Sequence, residues 1–135
     1  MRTATDLPGL RAAVRAWKQE GKHVGFVPTL GKLHAGHYSL IDLARKRADR
    51  VVVSVFVNPT QFAAGEDFEK YPRTLAVDSA GLAEHHCDLL FAPDMEVMYP
   101  FGPQHSISIH VPHVTQTLEG AHRPVHFDGV ATAVA

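Results

Sequence analysis

The stretch HVGFVPTLGKLHAGHYSLIDLARKRADRVVVSVFV, residues 23–57, decides the fold. Residues 23–30 form a short apolar segment, and residues 51–57 are almost continuously apolar, which is typical of strands that helices cover on both faces. An apolar stripe at helical spacing predicts a helix from about Gly36 to Arg47 between them. Strand, helix and strand form a βαβ unit. We therefore predict an α/β protein with an open, mostly parallel sheet of the Rossmann type.

The rest of the chain continues this alternation. A helix is predicted over about residues 7–20, with Asp6 as its N-cap, and a loop at 58–71. Pro72 begins a further predicted helix, which has Leu75, Ser79, Leu82 and His86 on one side. Strands are predicted at 88–93 and 105–111. From Pro112 the pattern weakens, and it predicts a short helix at 114–120, a polar loop at 121–129 and the first turns of another helix at 130–135.

Composition narrows the class of protein. The 135 residues are 45% hydrophobic and 20% charged with a net charge of −1, which argues against a nucleic-acid surface. No apolar stretch is long enough to span a bilayer, and the first ten residues lack the apolar core of a secretory signal. The lone Cys87 fits a reducing compartment. We expect a cytoplasmic chain that binds neither nucleic acid nor membrane.

Residues 30–37, LGKLHAGH, lie where the first strand of the βαβ unit ends and its helix begins. Gly31 suits a tight turn, and Gly36 leaves room for a ligand at the helix start. The first N–H groups of a helix are unpaired donors that attract anions. His34 and His37 add imidazoles that titrate near neutral pH. We therefore predict an anion site here.

Histidine is abundant, with ten residues, but its spacing matches no common zinc pattern, and we predict no protein-ligated metal. The glycines match neither the dinucleotide fingerprint nor the P-loop.

The segment VPTLGKLHAGH resembles the His-x-Gly-His signature of a nucleotidyltransferase superfamily. More specifically, five blocks resemble, in order, the pantoate–β-alanine ligase (pantothenate synthetase) family, and together they extend over essentially the whole chain. The blocks are FVPTLGKLHAGHYSLI, VVVSVFVNPTQF, YPRTL, DLLFAP and LEGAHRPVHFDGVAT.

The resemblance implies a reaction. Pantoate's carboxylate attacks the α-phosphorus of ATP, which carries Mg²⁺, and gives pantoyl adenylate and pyrophosphate. The amine of β-alanine then displaces AMP. Within the ATP-binding segment, His37 would be the proton donor, His34 would assist at the phosphates, and Gln61 would bind pantoate close to β-alanine. The ATP-binding segment comprises Leu30, Gly31, Lys32, Leu33, His34, Ala35, Gly36 and His37. The family also implies a homodimer.

Several departures from the family are visible. Leu30 stands where the family usually has Met, and Val125 stands where it usually has Gly, so Val125 would be strained if that position needs a positive φ. Arg123 and His126 match a family block, and we assign them to loop structure or subunit contact. The family's later nucleotide-contacting block and C-terminal domain are missing. We therefore expect residues 1–135 to be a truncated N-terminal nucleotide-binding domain with little or no ligase activity.

Two other functions remain open. The chain could adenylylate a different substrate, such as a phosphopantetheine-like or nicotinate nucleotide compound, as another member of the same superfamily. It could also be a non-catalytic nucleotide-binding or interaction module.

Overall fold

A computed structural model describes residues 1–63, 68–69, 73–113, 123 and 125–135, which include a four-stranded parallel sheet. The strands are β1 (Arg2–Ala4), β2 (Val24–Thr29), β3 (Arg50–Val55) and β4 (Leu89–Phe91), in the spatial order β1-β4-β3-β2. Every neighbouring pair in this sheet is parallel. The prediction of an open, parallel α/β sheet is therefore confirmed.

The described residues form five helices, of which the first two begin within one residue of their predicted starts. They are α1 (Leu7–Gln19), α2 (Ala35–Arg47), α3 (Leu75–Glu84), α4 (Met95–Met98) and α5 (His126–Val134), with 3₁₀ turns at Pro59–Gln61 and Pro103–His105. Asp6 caps α1 by accepting a hydrogen bond from the N–H of Gly9 at 2.8 Å. In the described part of the chain, no helix has the length and apolar character needed to cross a membrane.

The sheet buries apolar side chains on both faces, because successive residues of β3 point to opposite sides. Val51 and Val53 pack in one cluster with α2 and α3, through Ile41 and Leu82. Val52 packs in the other cluster against α1, which contributes Ala13. This two-sided burial explains why the sequence of β3 is apolar almost throughout.

The predicted strand at 105–111 is wrong. Residues Pro103–His105 form a 3₁₀ turn, and residues 106–111 belong to no strand. One backbone group of this segment is paired with a side chain of α5, since Thr132 Oγ1 accepts the N–H of Ile109 at 2.8 Å. Ile107 is 88% exposed. The alternating pattern indicated a strand, but this segment forms no strand pairing in the described structure.

The loop predicted at 121–129 is wrong in its second half, because α5 begins at His126 and not at residue 130. The third helix begins at Leu75, and its buried residues are Asp78 and Leu82, whereas Leu75 is 46% exposed. The sequence pattern also missed β1 and α4, which have three and four residues. Pro72 and the predicted helix at 114–120 lie outside the described residues.

Candidate active site

A cavity of about 580 Å³ lies at the carboxyl end of the sheet. Its walls include the last residues of two strands, Thr29 and Phe91, and Ser54 near the end of β3. In open parallel sheets this edge is where ligands bind. Of the predicted site residues, the lining contains Leu30, Gly31, His37 and Gln61. The structure thus brings the two predicted parts of the site, the 30–37 segment and Gln61, to one cavity.

The other predicted residues of the 30–37 segment do not line this cavity. They are Lys32, Leu33, His34, Ala35 and Gly36. A larger cavity of about 700 Å³ lies between α1 and β2, with mostly apolar walls. No predicted site residue lines this larger cavity, so we place the candidate site at the carboxyl edge.

His34 and His37 form a pair at the start of α2, with ring centroids 4.1 Å apart. His34 is the N-cap, and its Nδ1 accepts the N–H of Gly36 at 3.1 Å. The Nδ1 of His37 accepts the N–H of His34 at 3.3 Å. A backbone N–H can only donate, so both Nδ1 atoms are unprotonated and each neutral ring carries its proton on Nε2. The pair therefore has two Nε2–H donors for an anion.

The charge state of His37 is set by its surroundings. Burial lowers the pKa of His37 below its ordinary value of 6.5, and the neighbouring His34 lowers it further. The carboxylate of Asp78 opposes this shift in part. Both dominant effects disfavour the charged ring, so His37 is a neutral hydrogen-bond donor near pH 7.

The turn that leads into α2 is left-handed. Gly31 has a φ of 88°, as the sequence predicted for a tight exit from the strand, and Lys32 has a φ of 51°. The N–H groups of Lys32 and Leu33 both donate to the carboxylate of Asp78, each at 2.9 Å. Sequence reasoning missed Asp78, because an acidic residue on a helix gives no sign that it faces inward.

Gln61 is held by a buried polar network. The Nδ2 of Asn58 donates to Gln61 Oε1 and to the carbonyl oxygen of Gly129, both at 2.9 Å. The Oδ1 of Asn58 accepts the Tyr99 hydroxyl at 2.7 Å and the Thr60 hydroxyl at 2.9 Å. The side-chain carbonyl oxygen of Gln61 thus has a donor from Asn58. Its Nε2 is then the end of the amide that can donate to a ligand.

Asn58 and Tyr99 are two members of this network that are not among the predicted site residues. Asn58 is 1% exposed and Tyr99 is 6% exposed. The motif NPTQF contains Asn58, but Tyr99 follows α4, far away in sequence. Only the tertiary structure brings the two together.

The departure at Val125 introduces no backbone strain. Val125 has a φ of −92°, so the positive φ that would strain a valine is absent at this position. The guanidinium of Arg123 lies 5.6 Å from the ring centre of Phe62, and His126 Nδ1 lies 3.2 Å from the backbone oxygen of Gln61. These contacts fit the predicted role of Arg123 and His126 in local structure.

The open parallel sheet and the cavity at its carboxyl edge define an α/β protein of the class that binds small ligands beyond its strand ends. A family model described as pantoate-beta-alanine ligase matches residues 2–135. The chain belongs to this family.

Curated relatives agree with the family. The chain is 58% identical over 135 residues to the pantothenate synthetase of Xanthomonas campestris pv. campestris (strain B100), which covers 100% of this chain and 48% of that protein. Identity to the pantothenate synthetase of Xanthomonas oryzae pv. oryzae (strain PXO99A) is 57%, with the same coverage. The chain thus spans about half the length of the curated relatives it matches.

Solved structures are similar as well. The pantothenate synthetase from Thermus thermophilus superimposes with a TM-score of 0.88 at 50% identity, over 99% of this chain and 46% of that one. The pantoate-beta-alanine ligase from Francisella tularensis, complexed with beta-gamma ATP and beta-alanine, gives a TM-score of 0.87 at 39% identity, over 99% of this chain and 51% of that one.

Proposed function

We propose that this chain takes part in the ATP-dependent condensation of pantoate with β-alanine to pantothenate through a pantoyl adenylate. One observation carries the proposal: His37 and Gln61 line the same cavity at the carboxyl edge of the sheet. For a member of the pantoate-beta-alanine ligase family, we assign His37 to the phosphates and Gln61 to the hydroxy acid. The Francisella tularensis relative, complexed with beta-gamma ATP and beta-alanine, supports ATP and β-alanine as two of these substrates.

The roles of the residues follow from their hydrogen bonds. During adenylation, negative charge builds on the α-phosphoryl oxygens and on the leaving pyrophosphate. The Nε2–H groups of His37 and His34 are donors for that charge, and fixed donors of this kind contribute about 3–4 kcal/mol to transition-state stabilisation. The Nε2 of Gln61 would donate to an oxygen of pantoate. Positioning supplies much of the remaining rate enhancement, because phosphoryl chemistry needs little covalent help from the protein.

The substrate complex is ATP with Mg²⁺. The 30–37 segment would hold its phosphates at the N-terminus of α2, where the helix dipole favours negative charge. The exposed Lys32 would add a positive charge beside them. Strands in one parallel sheet, with α1 on one face and α2 and α3 on the other, support a Rossmann-type classification.

We further propose that residues 1–135 correspond to the N-terminal nucleotide-binding domain of the family. The chain spans 48% of the Xanthomonas campestris relative, so the remaining half would complete the site. We expect little or no ligase activity from these residues alone. A cytoplasmic location and a homodimer complete the proposal, and light scattering of the purified chain would test the dimer.

A ligand titration tests the function. We expect Mg²⁺–ATP and pantoate to shift amide resonances of the 30–37 segment and of Gln61 in the wild type, and His37→Ala to weaken the ATP response. His23→Ala is the matched control, because the His23 side chain is exposed. Loss of the ATP response in the control, or no response in the wild type, would contradict the proposal.

Pantoate-dependent exchange of pyrophosphate into ATP distinguishes the alternatives. Exchange with another acid, and none with pantoate, would identify a different member of the superfamily. ATP binding without exchange in a full-length relative carrying these residues would identify a non-catalytic module.

A further inference from the structure

The turn between β2 and α2 closes around a carboxylate that comes from α3. Asp78 is only 2% exposed. Its Oδ2 accepts the N–H of Lys32 and its Oδ1 accepts the N–H of Leu33, both at 2.9 Å. The Oδ2 also accepts the hydroxyl of Thr74 at 3.0 Å. Three donors therefore satisfy this buried carboxylate, as a buried polar group requires.

The backbone of the turn has the shape of an anion site. Successive N–H groups in left-handed residues form a concave nest that binds anions, and the N–H groups of Lys32 and Leu33 form such a pair. Lys32 is a non-glycine residue with a positive φ, a conformation that persists only where the surroundings hold it. A Cβ on Gly31 would make a tight contact of 3.2 Å with Asp78 Oδ2, and the φ of 88° at this position favours glycine.

We propose that Asp78 is a positioning residue of the candidate site. By filling the nest of the 31–33 turn, its carboxylate sets the direction in which the chain enters α2, and thereby the placement of His34 and His37. The two N–H groups of the turn are then committed to an internal carboxylate and not to a bound phosphate. A phosphate at the start of α2 would then be bound by the imidazole donors and the N-terminus of that helix. This consequence for nucleotide binding rests on the proposed function.

A direct measurement needs no variant. Scalar couplings across hydrogen bonds would connect the amide nitrogens of Lys32 and Leu33 with the carboxyl carbon of Asp78 in the wild-type chain. We expect both couplings, together with amide protons shifted downfield by the charged acceptor. Their absence in a folded sample would overturn the proposal, whatever the ligand results are.

Variants test the positioning role. Asp78→Asn retains one acceptor and places an NH₂ group against a backbone N–H, so at least one bond to the turn is lost. We expect the Lys32 and Leu33 amides and the imidazole resonances of His34 and His37 to shift, and the Kd for Mg²⁺–ATP to rise about tenfold. Thr74→Val is the matched control, because it removes a bond to the same carboxylate and leaves the turn amides paired; its Kd should change less than about threefold.

The outcomes separate the two proposals. A folded Asp78→Asn variant with unchanged imidazole resonances would overturn the positioning role. Equal effects from Thr74→Val would also overturn it, because they would indicate general destabilisation of α3. If the wild type binds no Mg²⁺–ATP, the proposed function fails, while the couplings and the imidazole resonances still decide the role of Asp78.

Discussion

The rings of His34 and His37 lie with their centroids 4.1 Å apart, and each ring accepts a backbone N–H at Nδ1. Protonation of either Nδ1 would break the hydrogen bond that caps the start of α2. Two cationic rings at this distance would also repel each other. The structure of the turn and the neutral state of the pair therefore support each other, and both Nε2–H groups remain available as donors.

We predict that His37 titrates below 6.5 and that both neutral rings carry their proton on Nε2. Burial and then His34 lower the pKa of His37, and Asp78 offsets only part of the shift. Long-range ¹H–¹⁵N spectra of the imidazoles report tautomer and titration together. A midpoint at or above 6.5, or a proton on Nδ1 of either ring above that midpoint, would contradict the prediction.

The lowered pKa of His37 makes the free energy of unfolding depend on pH. As the pH falls, the unfolded chain takes up the proton on His37 before the folded chain does. The contribution of neutral His37 to the free energy of unfolding is therefore fully present above about pH 6.5, and it is lost as the pH falls through the lower pKa of the folded state. We expect His37→Asn, whose amide oxygen can replace Nδ1 but does not titrate, to lose less unfolding free energy than the wild type between about pH 7.5 and about pH 5. Urea unfolding measures the difference. If the difference in unfolding free energy between His37→Asn and the wild type is the same at every pH, the prediction is wrong.

A variant of Tyr99 tests the hydrogen-bond network that holds Gln61. Its hydroxyl makes the 2.7 Å bond to Asn58, whose amide in turn donates to Gln61. We predict that Tyr99→Phe lowers the free energy of unfolding by about 1 kcal/mol, a typical net value for a buried hydrogen bond. We also expect the side-chain NH₂ signals of Asn58 and Gln61 to shift. Tyr38→Phe removes a hydroxyl elsewhere and should leave those signals in place; unchanged signals in both variants would refute the network's role.

The parts of the fold that sequence predicted correctly depend on local patterns. The apolar run of β3 and the Asp6 cap of α1 are each readable within a few residues. The turn at Gly31 is also local, since a glycine between a strand and a helix favours a positive φ. A strand at 105–111 would need a neighbouring strand to pair with, and the alternation of apolar residues does not indicate whether one is present.

The groups of the site that the sequence did not predict contact residues far away in sequence. Asp78 binds the amides of Lys32 and Leu33 across 46 and 45 residues, and Asn58 binds the carbonyl of Gly129 across 71 residues. Nothing in the local sequence distinguishes Asp78 from a solvated helix residue. The position of the 30–37 segment between a strand and a helix was therefore predictable from the motif, whereas the groups that hold the segment in place required the structure.

Cys87 should be unreactive in the folded chain. It is 4% exposed, and burial raises the pKa of its thiol, although hydrogen bonds to backbone oxygens oppose the shift. Because the thiolate is the reactive form, we predict slow labelling by a disulfide reagent in buffer and rapid labelling in concentrated urea. Variants that destabilise the fold should speed labelling in buffer in proportion to the population of open states. Equal rates in buffer and in urea would show that the thiol is accessible in the native chain.

Gly129 joins α5 to the turn that carries Gln61, and its replacement should damage both. A Cβ at this position would collide with the backbone of Thr60 and would lie 2.6 Å from the N atom of Gln61. Helix propensity alone favours alanine by about 1 kcal/mol, but overpacking against a rigid turn costs about 1–3 kcal/mol. Displacement of α5 also weakens the bond from Asn58 to the Gly129 carbonyl. We therefore expect Gly129→Ala to lower the unfolding free energy by about 1–2 kcal/mol and to weaken pantoate binding. Val125→Ala, at an exposed position just before the same helix and outside the cavity lining, should do neither. A Gly129→Ala chain that is more stable than the wild type would mean that α5 does not pack on the Pro59–Gln61 turn in solution.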